Sequence, residues 1–166
     1  MGKRVLKFGE DDVGNFVGHP GWVGCIFTNG CFDILHRGHI ELFKFCRAQR
    51  VYSPLVVGVN SDKSIRKLKG TNRPIMPEED RVSLLSAIKY IDCVVIFDTK
   101  SVLPLIEEIK PAILVKGGSY NTKPCAVADQ IVGQQFVENY GGKVLTAPLV
   151  EGVSSTNIIE RIKNDL

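Results

Sequence analysis

An α/β domain on a doubly wound parallel sheet of five strands, with helices on both faces, is the fold this sequence predicts. Short β-branched runs alternate with helical patterns from residue 23 onward. The strand-like runs are apolar along their length, without clean alternation, which suits a sheet covered on both sides. Each is followed by a helical pattern, the order of parallel strand-helix units. A chain of 166 residues with 44% apolar composition is the size of one domain with one sizeable core.

The elements follow in order. Residues 1–22, with their glycines and "HPGW", are expected to be an extension packed on the outside. "VGCIFTNG" is a first strand, and "HIELFKFCRAQ" is a helix with Ile40, Phe43 and Cys46 three apart. "PLVVGVN" is a second strand. "PEEDRVSLLSAIKYI" is a helix with acids in its first turn, where the helix dipole favours them. Strand "CVVIFD", helix "SVLPLIEEIK" and strand "AILVKGG" come next. A helix within "PCAVADQIVGQQFVENYGG" stops at its glycine pair. Strand "KVLTAP" follows, and "SSTNIIERIKNDL" closes the chain as a helix with Ser or Thr at its cap.

Composition excludes several classes. With 21 basic and 18 acidic residues the net charge is only +3, and no broad basic stripe prepares the chain for nucleic acid. The apolar runs fall far short of the roughly 20 residues that cross a bilayer. "MGKRVLKFGEDDVGNF" has acids and glycines where a signal peptide needs an apolar core. Cys25, Cys31, Cys46, Cys93 and Cys125 form no C-x-x-C pair, which fits reduced thiols in a cytoplasmic protein.

Ligands of open α/β sheets gather at the carboxyl ends of the strands. Four unusual segments fall there: "TNGCFDILHRGH", "NSDKSIRKLKGTNR", "KGGSY" and "VEGVSST". His36 and His39 stand where the first strand gives way to a helix, whose free N–H groups attract phosphates. Gly38 lets the backbone approach a ligand closely. Imidazoles there supply donors for charge developing on phosphoryl oxygens. Metal binding by the two histidines is the competing reading, but no third ligand of obvious spacing accompanies them.

"TNGCFDILHRGH" resembles the T-x-G-x-F-D-x-x-H-x-G-H signature of the cytidylyltransferase-like nucleotidyltransferases, and "VSST" resembles their second signature. The strings "VNSDKSIRKLKG" with the "NRP" that follows, "LVKGGSY" and "SSTNII" look most like the adenylyltransferase domain of bacterial ADP-heptose synthases. This resemblance covers residues 23–164. It implies a Rossmann-like nucleotidyltransferase domain over 23–166 that moves AMP from ATP to a sugar 1-phosphate, a heptose first of all, releasing pyrophosphate. Mg²⁺ is expected with the ATP, and no protein side chain is assigned as its ligand. No protein nucleophile is then needed, because the acceptor's phosphate attacks the α-phosphorus in line; positioning and charge stabilisation carry the catalysis.

The resemblance assigns His36, His39 and Lys69 as catalytic. It assigns Thr28, Asn29, Gly30, Phe32, Asp33, Gly38, Asn60, Asp62, Arg81, Lys116, Gly117, Gly118, Ser154, Ser155 and Thr156 to nucleotide binding, with Phe32 read as packing rather than contact. Arg81 is expected at a phosphate or the base. The stretch from Ser61 to Asn72 is expected to be a mobile basic loop closing over the triphosphate. The bland reading of the hydroxyls at 154–156 is helix capping, which is compatible with phosphate binding.

Departures from relatives bear on the substrate. Leu149 and Val150 stand where glycerol-phosphate cytidylyltransferases have an arginine, and Ile159 stands where nicotinamide-mononucleotide relatives have one. Both rivals are weakened. Ser119 and Ser155 replace an acid and a threonine of the heptose enzymes, so the sugar is less firmly implied than the chemistry. The alternatives are CTP with glycerol 3-phosphate or another polyol phosphate, and a non-catalytic nucleotide-binding module. Class I aminoacyl-tRNA synthetases share the H-x-G-H idea but need more chain than this for tRNA. Partners are expected to be ATP, a sugar phosphate and a separate upstream sugar kinase, with no nucleic acid or membrane; a homodimer is left open.

Overall fold

The computed structural model describes residues 4–18, 24–50, 52–118 and 131–164. Its strands are β1 (Arg4–Lys7), β2 (Ile26–Gly30), β3 (Leu55–Asn60), β4 (Cys93–Phe97), β5 (Ile113–Gly117) and β6 (Lys143–Ala147). The helices are α1 (Val13–Val17), α2 (Arg37–Gln49), α3 (Asp62–Lys69), α4 (Glu78–Ala87), α5 (Leu103–Ile109), α6 (Gln134–Asn139) and α7 (Ser155–Asn164). The strands form one parallel sheet in the order β1-β4-β3-β2-β5-β6. No helix among the described residues is long and apolar enough to cross a membrane.

The sheet therefore has six strands, not the expected five. β1 pairs with β4 at the edge, from Arg4↔Cys93 to Lys7↔Ile96. Its sequence "RVLK" hides it: the run is four residues long and ends in charge at both sides, as edge strands often do. α1 follows, capped by Asp12, whose carboxylate accepts the Asn15 N–H at 2.9 Å. Val13 and Val17 of α1 are buried among Phe27, Val95 and Leu105. Residues ahead of position 23 thus contribute to the core itself.

Successive strand residues face opposite sides, so the two faces carry separate apolar layers. Phe27, Val56, Val95 and Leu114 pack under α1, α5 and α6, with Ile106 and Val137. Ile26, Val57, Val94 and Val115 pack under α2 and α4, with Phe43, Cys46, Val82 and Leu85. Burial pushes the Cys25 and Cys46 thiols up to about 12, so both act as small apolar groups.

The second correction concerns 61–72. Residues Asp62–Lys69 form α3 rather than loop. The Ser61 side chain caps it by accepting the Ser64 N–H at 3.0 Å, and Ile65 is buried at 1% exposure. Asn60 Nδ2 donates to Ser64 Oγ at 2.9 Å and ties the helix to the end of β3. Gly70, with φ of 90°, ends it in a conformation that side chains disfavour. Of the helix expected within 124–142, the described part is α6; Cys125 and Ser119 lie outside the described residues.

Candidate active site

The strand order reverses between β2 and β5, where the chain returns past its first central strand. β2 pairs with β3 over five registers, but with β5 only at Ile26↔Ile113 and Phe27↔Leu114. Beyond Phe27 the two strands part, which opens the crevice that such a switch point offers to a ligand. A cavity of about 250 Å³ occupies it, lined by Asn29, Gly30, Lys116, Gly117 and Gly118 from the strand ends and by His36, Gly38, His39 and Leu42 from α2. Ala147, Pro148, Leu149, Val150 and Val153 close its apolar side. Cys31, Phe32 and His39 separate it from a polar cavity of about 290 Å³, whose other walls are Asp33, Lys69, Arg73, Ser155 and Thr156.

The histidine pair is built by the start of α2. His36 is its N-cap, and the His36 backbone N–H donates to His39 Nδ1 at 3.3 Å. With Nδ1 accepting, the proton of a neutral His39 sits on Nε2. The two rings stack with centroids 3.8 Å apart. Burial, and next the neighbouring His36, lower His39 to about 4; burial also lowers His36. Both imidazoles are therefore neutral near pH 7 without ligand. His36 Nδ1 is buried without a partner among the described residues. A Cβ at position 38 would lie 3.0 Å from the His36 ring and press on it, so Gly38 leaves the ring room to lie here.

The loop between β2 and α2 is held from behind. Phe32 has φ of 48°, packs against His39 and Phe43 and is 4% exposed, which fits its reading as packing. Asp33 accepts the backbone N–H groups of Ile75 and Met76 at 2.7 and 2.8 Å, and Arg73 Nη1 at 2.9 Å. These bonds outweigh burial and hold its carboxyl below the usual range, although burial alone would raise it.

Several assigned residues do not face either cavity. Arg81 is 0% exposed, and its guanidinium donates to Cys31 O, Met76 O and Asp62 Oδ1 at 2.6, 3.0 and 2.8 Å. It braces three segments behind the site instead of meeting phosphate or base. Asp62 is engaged with Arg81, and Asn60 with Ser64. Thr28 is buried beneath the loop, and Ser154 caps α7 by accepting the Asn157 N–H at 3.0 Å. Cys31, Leu42, Arg73, Pro148 and Val153 line the cavities without a role assigned to them from sequence. For Arg73 the one available signal was its place after the basic stretch, in "TNRP".

Lys116 crosses the crevice from β5 and donates to Asn29 Oδ1 on β2. Burial lowers its ammonium to about 8. An anionic ligand favours the charged form and raises that pKa, so nucleotide affinity should be steady below about 8 and weaken as pH rises above it. Lys116→Met should flatten the dependence. Calorimetric titration in buffers of different ionisation heat reads the proton uptake; a flat wild-type profile would put Lys116 out of reach of the ligand's charge.

Comparison with known proteins finds relatives over most of the chain. The family model described as Cytidylyltransferase-like matches residues 27–161. The chain is 48% identical over 138 residues to the bifunctional protein HldE of Alcanivorax borkumensis, and 49% identical over 137 residues to that of Syntrophotalea carbinolica. Those matches cover 83% and 82% of this chain but 27% and 26% of the relatives, so it spans about a quarter of their length. A crystal structure of the lipopolysaccharide core biosynthesis protein from Thermoplasma volcanium is similar at TM-score 0.59 and 26% identity, covering 76% of this chain and 97% of that one. A Streptococcus pneumoniae protein titled macrolide-efflux protein shares the fold at TM-score 0.65 and 20% identity, over 95% of this chain and 55% of that one. With the family's first signature at the switch point and the family match running from β2 into α7, this chain belongs to the cytidylyltransferase-like nucleotidyltransferases.

Proposed function

We propose that the chain transfers AMP from ATP to a sugar 1-phosphate, a heptose 1-phosphate first of all, giving an ADP-sugar and pyrophosphate. The observation that carries this reading is the neutral, stacked histidine pair in the apolar-walled cavity, with His39 on its boundary with a cationic one. The first suits a base and ribose, the second phosphates, and the boundary suits the α-phosphate between them. An oxygen of the acceptor's phosphate bonds to the α-phosphorus while the bond to the bridging oxygen breaks, its electron pair leaving with pyrophosphate. His39 Nε2–H and the His36 ring then donate to oxygens that gain charge.

Mg²⁺ would arrive with the nucleotide and supply charge neutralisation on its phosphates. Asp33 is the one carboxylate on either cavity among the described residues, and both its oxygens are bonded already. Phosphate oxygens and water, rather than side chains, would hold the ion. Lys69 ends α3 at the wall of the polar cavity, so Lys69→Ala should lower kcat more than nucleotide affinity. Steady-state kinetics beside equilibrium nucleotide binding separates the two effects. A loss confined to affinity would remove Lys69 from the chemical step.

Heptose is favoured by the resemblance of "LVKGGSY" and "SSTNII" to the adenylyltransferase domain of ADP-heptose synthases, and by the HldE relatives. A kinase activity would then supply the sugar 1-phosphate. A pyrophosphate-release assay of nucleotides against sugar and polyol phosphates tests the reading. ATP with a heptose 1-phosphate should have the highest kcat/KM, because a pocket that hydrogen-bonds its base rejects an ill-matched one. Equal or better turnover with CTP would instead select the polyol-phosphate reaction. Nucleotide binding without turnover on any acceptor would select a non-catalytic module.

A further inference from the structure

The polar cavity contains a guanidinium to which neither the signatures nor the reading above gives a role. Arg73 stands opposite α7, with its side chain 27% exposed, and Nη1 donates to Asp33 at 2.9 Å. Asp33 is itself fixed by two backbone N–H groups and is 7% exposed on its side chain. One edge of the guanidinium is therefore anchored, while its remaining donors have no partner among the described residues. A fork held in this way presents parallel N–H groups at little entropic cost, which matches the oxygens of a phosphate.

Two further features share the cavity. Lys69 adds a second cation, and Ser155 and Thr156 bring the amino end of α7. In α7 the Ile158 N–H makes the first backbone bond, to Ser154 O, and Asn157 N–H bonds the Ser154 side chain. The N–H groups of Ser155 and Thr156 precede both and have no intrahelical acceptor. Cation, fork and helix end converge on a space reached past His39 from the nucleotide cavity.

We propose that Arg73, oriented by Asp33, grips the pyrophosphate end of the nucleotide and stabilises it as the leaving group. The proposal rests on the nucleotidyl-transfer reading and names a binding residue within it. A nucleotide with its base in the apolar-walled cavity and its α-phosphate at the histidines extends its next two phosphates into the polar one. The acceptor must approach from the opposite side for in-line attack. The leaving group also gains a full negative charge as its bond breaks, where an anchored cation acts most strongly.

The test uses the full chain with inorganic pyrophosphate as probe. Calorimetry without nucleotide or acceptor should show Arg73→Gln weakening pyrophosphate binding by about 10- to 100-fold, the scale for losing a hydrogen bond to a charged group. Arg73→Lys should recover part of the loss, and thermal melting establishes that both variants fold. In turnover, the inhibition constant of pyrophosphate should rise with Arg73→Gln while KM for the sugar phosphate stays put. Unchanged pyrophosphate affinity overturns the proposal, whether Arg73 then proves to be only a strut or shows a raised acceptor KM and belongs to the acceptor. Because the binding arm needs no turnover, an absence of transferase activity would count against the proposed reaction and leave the result on Arg73 readable.

Discussion

His36→Ala or His39→Ala should lower kcat by roughly 10²–10³ each, the scale for removing one donor from a developing oxyanion. The rings stack at 3.8 Å and His39 Nδ1 is held by the His36 backbone N–H, so the donors are aligned before ligand arrives. Preorganised neutral donors need no rearrangement as charge builds on the phosphoryl oxygens. Far-ultraviolet circular dichroism should stay unchanged, since both rings line the cavity and neither belongs to the two apolar core clusters. Near-wild-type turnover in both variants would defeat the assignment. The same geometry has a signature in stability. His39 at about 4 in the fold lies below its ordinary 6.5, so the unfolded chain binds the proton first as pH falls. The contribution is fully present above 6.5 and is lost toward 4. Denaturation midpoints across that window should fall for wild type and fall less for His39→Ala.

Arg81→Met should destabilise the protein by about 3–5 kcal/mol, the range for removing one partner of a buried ion pair. That corresponds to a Tm lower by roughly 10 °C for a domain of this size. Three acceptors lose their donor at once: Cys31 O in the loop after β2, Met76 O before α4, and the Asp62 carboxylate at the start of α3. Arg81→Lys should restore little, because one ammonium cannot span acceptors that meet Nε, Nη1 and Nη2 separately. Thermal and urea denaturation measure the loss. An unchanged Tm with a raised nucleotide KM would return Arg81 to the cleft, contrary to its burial at 0% exposure.

The contrast between these arginines and the histidines marks how far sequence reasoning reached. His36, Gly38 and His39 fall within four positions, so local geometry carries their relation: cap, close approach and helix end are all set by neighbours in the chain. Arg81 lies fifty residues from Cys31, and Arg73 forty from Asp33. Nothing local distinguishes a guanidinium that braces a loop from one that meets phosphate. α3 was overlooked for another reason. Its basic residues read as a solvated loop, while Ser64 and Ile65, the residues that bury it, contribute only two positions to the pattern.

By itself the sequence determined the alternation of strand and helix, the parallel order that follows from it, and the family whose signature begins at Thr28. These rest on periodicity and on contiguous motifs, which are local properties of the chain. Only the tertiary structure decided that residues ahead of position 23 add an edge strand and core side chains, because "RVLK" becomes a strand through pairing with β4. It also decided which polar residues face the cleft and which support it. For Arg73 and Arg81 that choice depends on contacts with Asp33 and Cys31, forty and fifty residues away in the chain, in the loop that follows β2.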